Sequence, residues 1–249
     1  MTDARTLSAQ GSPCWVSLMA RDLDTAGEFY GALLGWEFKG GPTGLGPYVR
    51  ATLNGAPVAG LGVAPAGFPV EWTTYFAADS TDGTAQRIRE CGGTVAVGPV
   101  QAEGAGRLVI ASDVSGAVFG VWEGQEHSGW QAVDVPGAPS WTELITPDLD
   151  GAAFFYGSVF GQAVERRGPD AVLMVDGSVV AGIRGATELR GGPPRWRVYF
   201  AVTDVEEAVQ RAVELGGRLL VEPSDSPYGR YARLLDREGG RFSLVERGN

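Results

Sequence analysis

Glu143 is the residue of this chain best placed for proton chemistry. It stands in SWTELIT, where strand alternation sets it on one face with Trp141 and Ile145. The same alternation pairs Arg197 with Tyr199 and Arg241 with Ser243, and in the first half groups Trp15, Ser17 and Met19; Thr73 and Tyr75; and Val118, Gly120 and Trp122. Two chemistries are open to such faces. A buried carboxylate of raised pKa can act as general acid or base, with Tyr75 or Tyr199 as polar helper, in an isomerisation, dehydration or lyase step. An aromatic, uncharged face such as that of Trp15, Tyr75 and Trp122 suits instead a planar organic ligand, whose orientation a few hydroxyls would set.

Other chemistries are poorly supplied. The chain has one histidine, His127, so it cannot by itself build a site of two histidines and a carboxylate. His127 falls in a polar stretch and reads as a solvated linker residue. Cys14 and Cys91 belong to no CxxC pair and read as small buried hydrophobes. Patterns for phosphate loops, zinc proteases and nucleophile elbows are absent. A formal charge of −10 argues against nucleic acid, whose phosphates draw on clustered Lys and Arg, and leaves neutral or cationic small molecules as partners. No apolar run approaches the roughly 20 residues of a membrane span, and MTDARTLSAQ has no apolar core of a signal peptide, so a cytoplasmic protein is expected.

The elements that carry these residues are written twice. GSPCWVSLMARDLDTAGEFYGALLG from Gly11 returns as GAPSWTELITPDLDGAAFFYGSVFG from Gly137, and similar pairs continue to the end, as in WTTYFA from Trp72 and WRVYFA from Trp196. The spacing drifts by only a few residues, the mark of a tandem duplication. Each copy opens with a short strand and a DLD turn, with Asp24 and Asp150 as candidate N-caps. Ala26, Phe29, Tyr30, Leu33 and Leu34 then follow helical spacing, as do Ala152, Phe155, Tyr156, Val159 and Phe160, until Gly35 or Gly161 stops the helix. Asn54-Gly55 and Asp176-Gly177 mark hairpins. A second helix follows in each copy, capped in the later one by Asp204 with Glu207 and ended by Gly216-Gly217; in the earlier copy Gly83 and Thr84 weaken it. Each half thus reads as strand, helix and three strands, stated twice. The expectation is an α+β protein of four βαβββ motifs, with a disordered tail over 1–11, domains over 12–123 and 139–249, and a linker over 124–138.

The Trp-x-x-Leu strand, the Asp-Leu-Asp turn, the Phe-Tyr-Gly helix closed by Gly and the later Gly-Gly resemble the vicinal oxygen chelate superfamily, the glyoxalase and bleomycin-resistance group, over nearly the whole chain. More narrowly, the chain is similar to its tandem two-domain actinobacterial members. The resemblance implies that the four βαβββ motifs make two open curved-sheet barrels with flanking helices, each around a cavity. Sequence leaves open whether consecutive or exchanged motifs pair.

Members with metal chemistry place His, Gln or Glu on inward strand positions. Carried onto this chain, those positions hold Trp15, Thr73 and Gly120 in one half and Trp141, Arg197 and Ser243 in the other. None is a competent ligand for iron, zinc, nickel or manganese, so no metal and no other cofactor is expected. In the first half the remaining inward residues, Ser17, Met19, Tyr75 and Trp122, either wall a pocket or fill the barrel. In the second half an acid and two guanidiniums point inward, and Glu143 is expected to pair with Arg197 or another inward base, a pair whose rupture costs about 3–5 kcal/mol when fully buried. The residues Tyr228 to Tyr231 form either an ordinary exposed turn or a loop closing over a pocket.

The reading that follows is metal-independent binding of a planar aromatic natural product, in antibiotic self-resistance or as an accessory step of biosynthesis, by a monomer or weak homodimer. Trp15, Ser17, Met19, Thr73, Tyr75, Trp122, Trp141, Glu143, Arg197, Tyr199 and Ser243 would contact the ligand. The alternative is a metal-free isomerase, dehydratase, lyase or hydroxylase-associated enzyme using Glu143 with Tyr75. A structural module whose barrels are filled by side chains is a third class.

Overall fold

A computed structural model describes residues 9–42, 44, 46–186, 192–226 and 228–248. The tail expected to be disordered lies outside the described residues over 1–8. Four motifs follow one another. The first is β1 (Pro13–Ala20), α1 (Leu23–Leu34), β2 (Glu37–Gly40), β3 (Tyr48–Leu53) and β4 (Ala56–Val63); the second is β5 (Glu71–Ala77), α2 (Thr81–Glu90), β6 (Thr94–Ala102), β7 (Gly106–Ser112) and β8 (Val118–Gly124). The third is β9 (Pro139–Thr146), α3 (Leu149–Phe160), β10 (Ala163–Arg167), β11 (Asp170–Val175) and β12 (Ser178–Gly185); the fourth is β13 (Arg195–Val202), α4 (Val205–Glu214), β14 (Arg218–Ser224), β15 (Tyr231–Leu235) and β16 (Arg241–Glu246).

Two eight-stranded mixed sheets result, ordered β2-β3-β4-β1-β5-β8-β7-β6 and β10-β11-β12-β9-β13-β16-β15-β14. Consecutive motifs therefore share a sheet, which resolves the choice that spacing left open. Neither sheet closes on itself, so both end in edge strands: β2 and β6 in one, β10 and β14 in the other.

The helices α1 and α3 start two residues earlier than expected. Asp22 and Asp148, not Asp24 and Asp150, are the N-caps: Asp22 Oδ1 accepts from Thr25 N at 2.7 Å and Asp148 Oδ1 from Gly151 N at 2.9 Å. A cap must stand outside the helix to reach the third amide inside it, whereas Asp24 and Asp150 already lie in the first turn and complement its dipole. Asp204 caps α4 as its spacing predicts, and Gly35 and Gly161 end α1 and α3 with φ of 74° and 75°. The Asn54-Gly55 and Asp176-Gly177 turns have positive φ at both residues, the geometry of a tight hairpin.

The chain divides into two compact units that draw on both halves of the repeat. One comprises Met1–Trp15, Thr73–Gly129 and Thr142–Trp196; the other comprises Val16–Trp72, Trp130–Trp141 and Arg197–Asn249. In the first unit Phe76, Ile88 and Phe119 of the second motif pack with Leu144, Tyr156, Phe160 and Trp196. In the second unit the Tyr30 ring stacks on Trp36 at 5.6 Å and meets Trp72 and Phe242 edge-on.

The same polar relay runs through each core. Trp196 Nε1 donates to Tyr156 OH at 2.8 Å, and Tyr156 OH donates to Asp113 Oδ2 at 3.1 Å. In the other unit Trp72 Nε1 donates to Tyr30 OH at 3.0 Å, which donates to Asp236 Oδ2 at 2.9 Å. Each aspartate is held in its turn by two backbone amides, from Ser115 and Ala117 or from Glu238 and Gly240. Burial pushes both aspartate carboxyls up from their ordinary value, against the hydrogen bonds that pull them down. It also raises both tyrosines well above theirs.

Candidate functional site

Strand alternation sends Phe76, Phe119 and Val121 to the core of the first unit and turns Tyr75, Gly120 and Trp122 to the opposite face. Tyr75 lies opposite Gly120 and Ala77 opposite Trp122 in the parallel register of β5 and β8. A Cβ at Gly120 would overlap the Tyr75 ring, so the ring covers the point where a metal-binding acid would branch from the strand. Trp122 is equally fixed: its Nε1 donates to His127 O at 2.7 Å, and a Cβ at Gly106 would come within 2.7 Å of its Cζ2.

His127 is not a solvated linker residue. It is only 8% exposed, with its ring edge-on to Trp15 at 4.5 Å and beside Trp122 at 5.9 Å. Polarity of the surrounding sequence suggested exposure, but the Gly124 and Gly129 backbones fold the segment closely enough to bring the imidazole under two indoles. A Cβ at Gly124 would meet His127 O at 2.7 Å, and one at Gly129 would overlap the Cys14 carbonyl. The first unit thus assembles Trp15, Tyr75, Trp122 and His127, with Thr73 half-buried on the same strand as Tyr75.

Glu143 belongs to this unit too, on the strand face of Ile145. It is 5% exposed, and its Oε1 lies 3.3 Å from Arg184 Nη2. The parallel register sets Glu143 opposite Gly182 and Ile145 opposite Arg184, so the arginine reaches diagonally past a glycine that offers no side chain. The pair found here is with the other inward base that the expectation allowed beside Arg197.

In the second unit Ser17 and Met19 share a face with Tyr48, which the sequence reading missed. Ser17 Oγ and Tyr48 OH lie 2.9 Å apart. The Tyr48 ring lies across Gly60, where a Cβ would overlap it, and beside Gly62, where a Cβ would come within 3.3 Å. Two glycines at alternate positions of AGLG were the available signal for a ring lying flat on that strand.

The same unit holds Trp141, Arg197, Tyr199 and Ser243. β9 and β13 are tied side by side where Gly137 N donates to Ala201 O and Ala201 N to Ala138 O, each at 2.8 to 2.9 Å. Arg197, 9% exposed, donates from Nη1 to Tyr199 OH at 3.2 Å. Tyr199 lies opposite Ser243, and Ser243 opposite Arg233 on the next strand. Ser243 is fully buried and its Oγ has no hydrogen-bond partner among the described residues. Trp141 stacks against Tyr228 at 5.9 Å with 20° between planes, although Tyr228 is itself exposed. Tyr231 approaches Tyr199 at 6.3 Å. Arg184, Arg233 and Tyr231 went unnamed as ligand contacts because only strand register brings them to these faces.

Neither trio of inward positions fits a divalent metal. Trp15, Thr73 and Gly120 offer an indole, a hydroxyl and a glycine beneath a tyrosine ring; Trp141, Arg197 and Ser243 offer an indole, a cation and a hydroxyl. Among the described residues no group of three or more His, Cys, Asp or Glu is gathered to hold an ion. No helix among them is long and apolar enough to cross a membrane.

A family model described as glyoxalase-like domain matches residues 141–245. The anthracycline biosynthesis protein DauV of Streptomyces sp. strain C5 is 36% identical, over 97% of this chain and 95% of its own length. Among solved structures, the 2,3-dioxygenase LapB from Pseudomonas sp. KL28 superposes with a TM-score of 0.69 at 13% identity, covering 98% of this chain and 94% of its own. The Mn(II)-bound glyoxalase from Novosphingobium aromaticivorans gives 0.68 at 18% identity, covering 95% and 82%. At such identities the two structures speak for the fold alone, while the full-length relative and the matched model carry the family. This chain belongs to the glyoxalase-like proteins of the vicinal oxygen chelate superfamily.

Proposed function

We propose that this protein binds a planar aromatic natural product without a metal ion, as an accessory protein of secondary-metabolite biosynthesis. The observation that carries the reading is what occupies the family's ligand positions: indoles at Trp15 and Trp141, with Tyr75 and Tyr199 beside the final-strand positions, in place of histidines and acids. Aromatic faces of this kind give affinity for flat molecules through stacking and burial, and leave orientation to a few hydroxyls and cations. The relationship to an anthracycline biosynthesis protein supports a polycyclic aromatic ligand and favours a biosynthetic role over self-resistance.

Tryptophan fluorescence titration against a panel of polycyclic metabolites tests the proposal, because Trp15, Trp122 and Trp141 lie on the faces concerned. Saturable quenching by at least one member is expected; a flat response across the panel would sink the binding role. Elemental analysis of the purified protein is expected to find no stoichiometric divalent ion, and one ion per chain would overturn the metal-free part.

A second reading, an enzyme with Glu143 as general acid or base and Tyr75 as helper, is favoured by the burial of that carboxylate. The Arg184 guanidinium at 3.3 Å counts against it, because the carboxylate is already engaged in an ion pair of structural type. Glu143→Gln distinguishes them: turnover of a bound ligand would vanish under the enzyme reading, and binding would persist under the first.

A further inference from the structure

Resting on the binding role proposed above, we infer that the ligand is a hydroxyquinone held through its ionised oxygen by Arg197, Tyr199 and Ser243. Three observations in the second unit carry this. First, Ser243 is fully buried, yet its hydroxyl has no partner among the described residues. Buried hydroxyls are almost always satisfied; Ser243 shares this lack with Ser12, Thr74 and Thr142, and what sets it apart is the group of donors around it. Second, the residues beside it in the strand register are donors. Tyr199 lies opposite on β13, and Arg233 lies opposite on β15. The Arg197 guanidinium adjoins Tyr199 through the 3.2 Å bond to its hydroxyl. An ionised oxygen accepts several such donors at once and is held more strongly than a neutral carbonyl.

Third, a stacking platform adjoins these donors. Trp141 stands on β9, hydrogen-bonded alongside the strand that carries Arg197 and Tyr199. Its indole is covered by the exposed Tyr228 ring at a slant of 20°. Tyr228 therefore occupies the position that a flat ligand ring would take, and a side chain on an exposed turn can yield it. A ring on Trp141 with an oxygen directed at the Arg197–Ser243 donors fits a planar aromatic whose hydroxyl has lost its proton, and hydroxyquinones are the class in which that hydroxyl is ionised at neutral pH.

The first unit differs at the corresponding place. There Gly120, with the Tyr75 ring over it, stands where Ser243 does, Thr73 where Arg197 does, and Ile110 where Arg233 does, so the guanidiniums and the final-strand hydroxyl have no counterparts. The two copies of one motif have thus diverged, with an aromatic face in one and an oxygen-binding face in the other.

The test compares lawsone, a hydroxynaphthoquinone that is ionised at neutral pH, with its methyl ether, by quenching of tryptophan fluorescence in the full-length protein. The wild-type protein should prefer lawsone by about tenfold or more, the effect of one or two charge-assisted hydrogen bonds. Ser243→Ala removes a hydroxyl that has no hydrogen-bond partner among the described residues, and should lower the preference several-fold without lowering the melting temperature. Arg197→Lys keeps the charge, loses the planar fork, and should also lower the preference. Affinity for the methyl ether should move by less than about twofold in both variants, because its contact is the stacking face. Equal binding of the two quinones, or a preference that survives Ser243→Ala in a folded protein, overturns this inference and leaves the aromatic binding role standing. Failure of either quinone to bind overturns it as well, and the wider panel then decides the binding role separately.

Discussion

Tyr30 and Tyr156 explain why Phe-Tyr-Gly is repeated. Each hydroxyl both accepts from a buried indole and donates to a buried aspartate, so it joins the two in one relay. Tyr156→Phe leaves Trp196 Nε1 and one side of Asp113 without that partner, at about 1–3 kcal/mol for each. Denaturant unfolding of Tyr156→Phe and Tyr30→Phe should report losses in that range; a change within error would mean that the relay contributes nothing. The aspartates add a pH dependence. Their folded pKa values are raised, so the stability they contribute is fully present below the ordinary carboxylate value and is lost as pH rises through the folded value. Asp113→Asn lacks this titration. The stability of wild type relative to Asp113→Asn should therefore fall as pH rises from the ordinary carboxylate range, and a difference growing with pH would contradict the assignment.

Among the strands, glycine does the work that a pocket lining would otherwise do. Gly120 and Gly60 provide flat places on which the rings of Tyr75 and Tyr48 rest. Gly120→Ala would push a methyl group into the Tyr75 ring, forcing it to turn out at a cost of about 1–3 kcal/mol. The measurable outcome is a lowered unfolding midpoint together with altered quenching in the titration, since Tyr75 and Trp122 share that face. Helix caps are a separate term of similar type. Removing the Asp148 carboxylate by Asp148→Ala should cost about 0.5–2 kcal/mol, while Asp150→Ala, which removes a first-turn charge and an exposed ion pair with Arg166, should cost less. Equal losses would show that the cap had been misplaced.

At the scale of the molecule, duplication did not yield two self-contained halves. Phe76 and Phe119 from the first half are buried with Tyr156, Phe160 and Trp196 from the second inside one compact unit. A fragment of residues 139–249 would expose the faces that Phe76 and Phe119 cover. It should lack a cooperative thermal transition alone and regain one when the fragment 1–138 is co-expressed. An independently cooperative fragment would show that this shared core is dispensable.

The local rules of chain geometry were legible in the residues: four βαβββ motifs, the helix stops at Gly35 and Gly161, and the two hairpins. These follow from period, cap and turn preferences acting within a few residues, and their repetition a hundred residues later removed ambiguity. The register between strands and the path of the connecting segment were not local. Arg184 reaches Glu143, Tyr199 stands opposite Ser243, and His127 packs under Trp15 only because separated segments align, and no spacing along the chain encodes that distance. Sequence thus set which chemistry the faces can carry, and tertiary structure decided which of those groups meet, because contact between strands is fixed by pairing and packing.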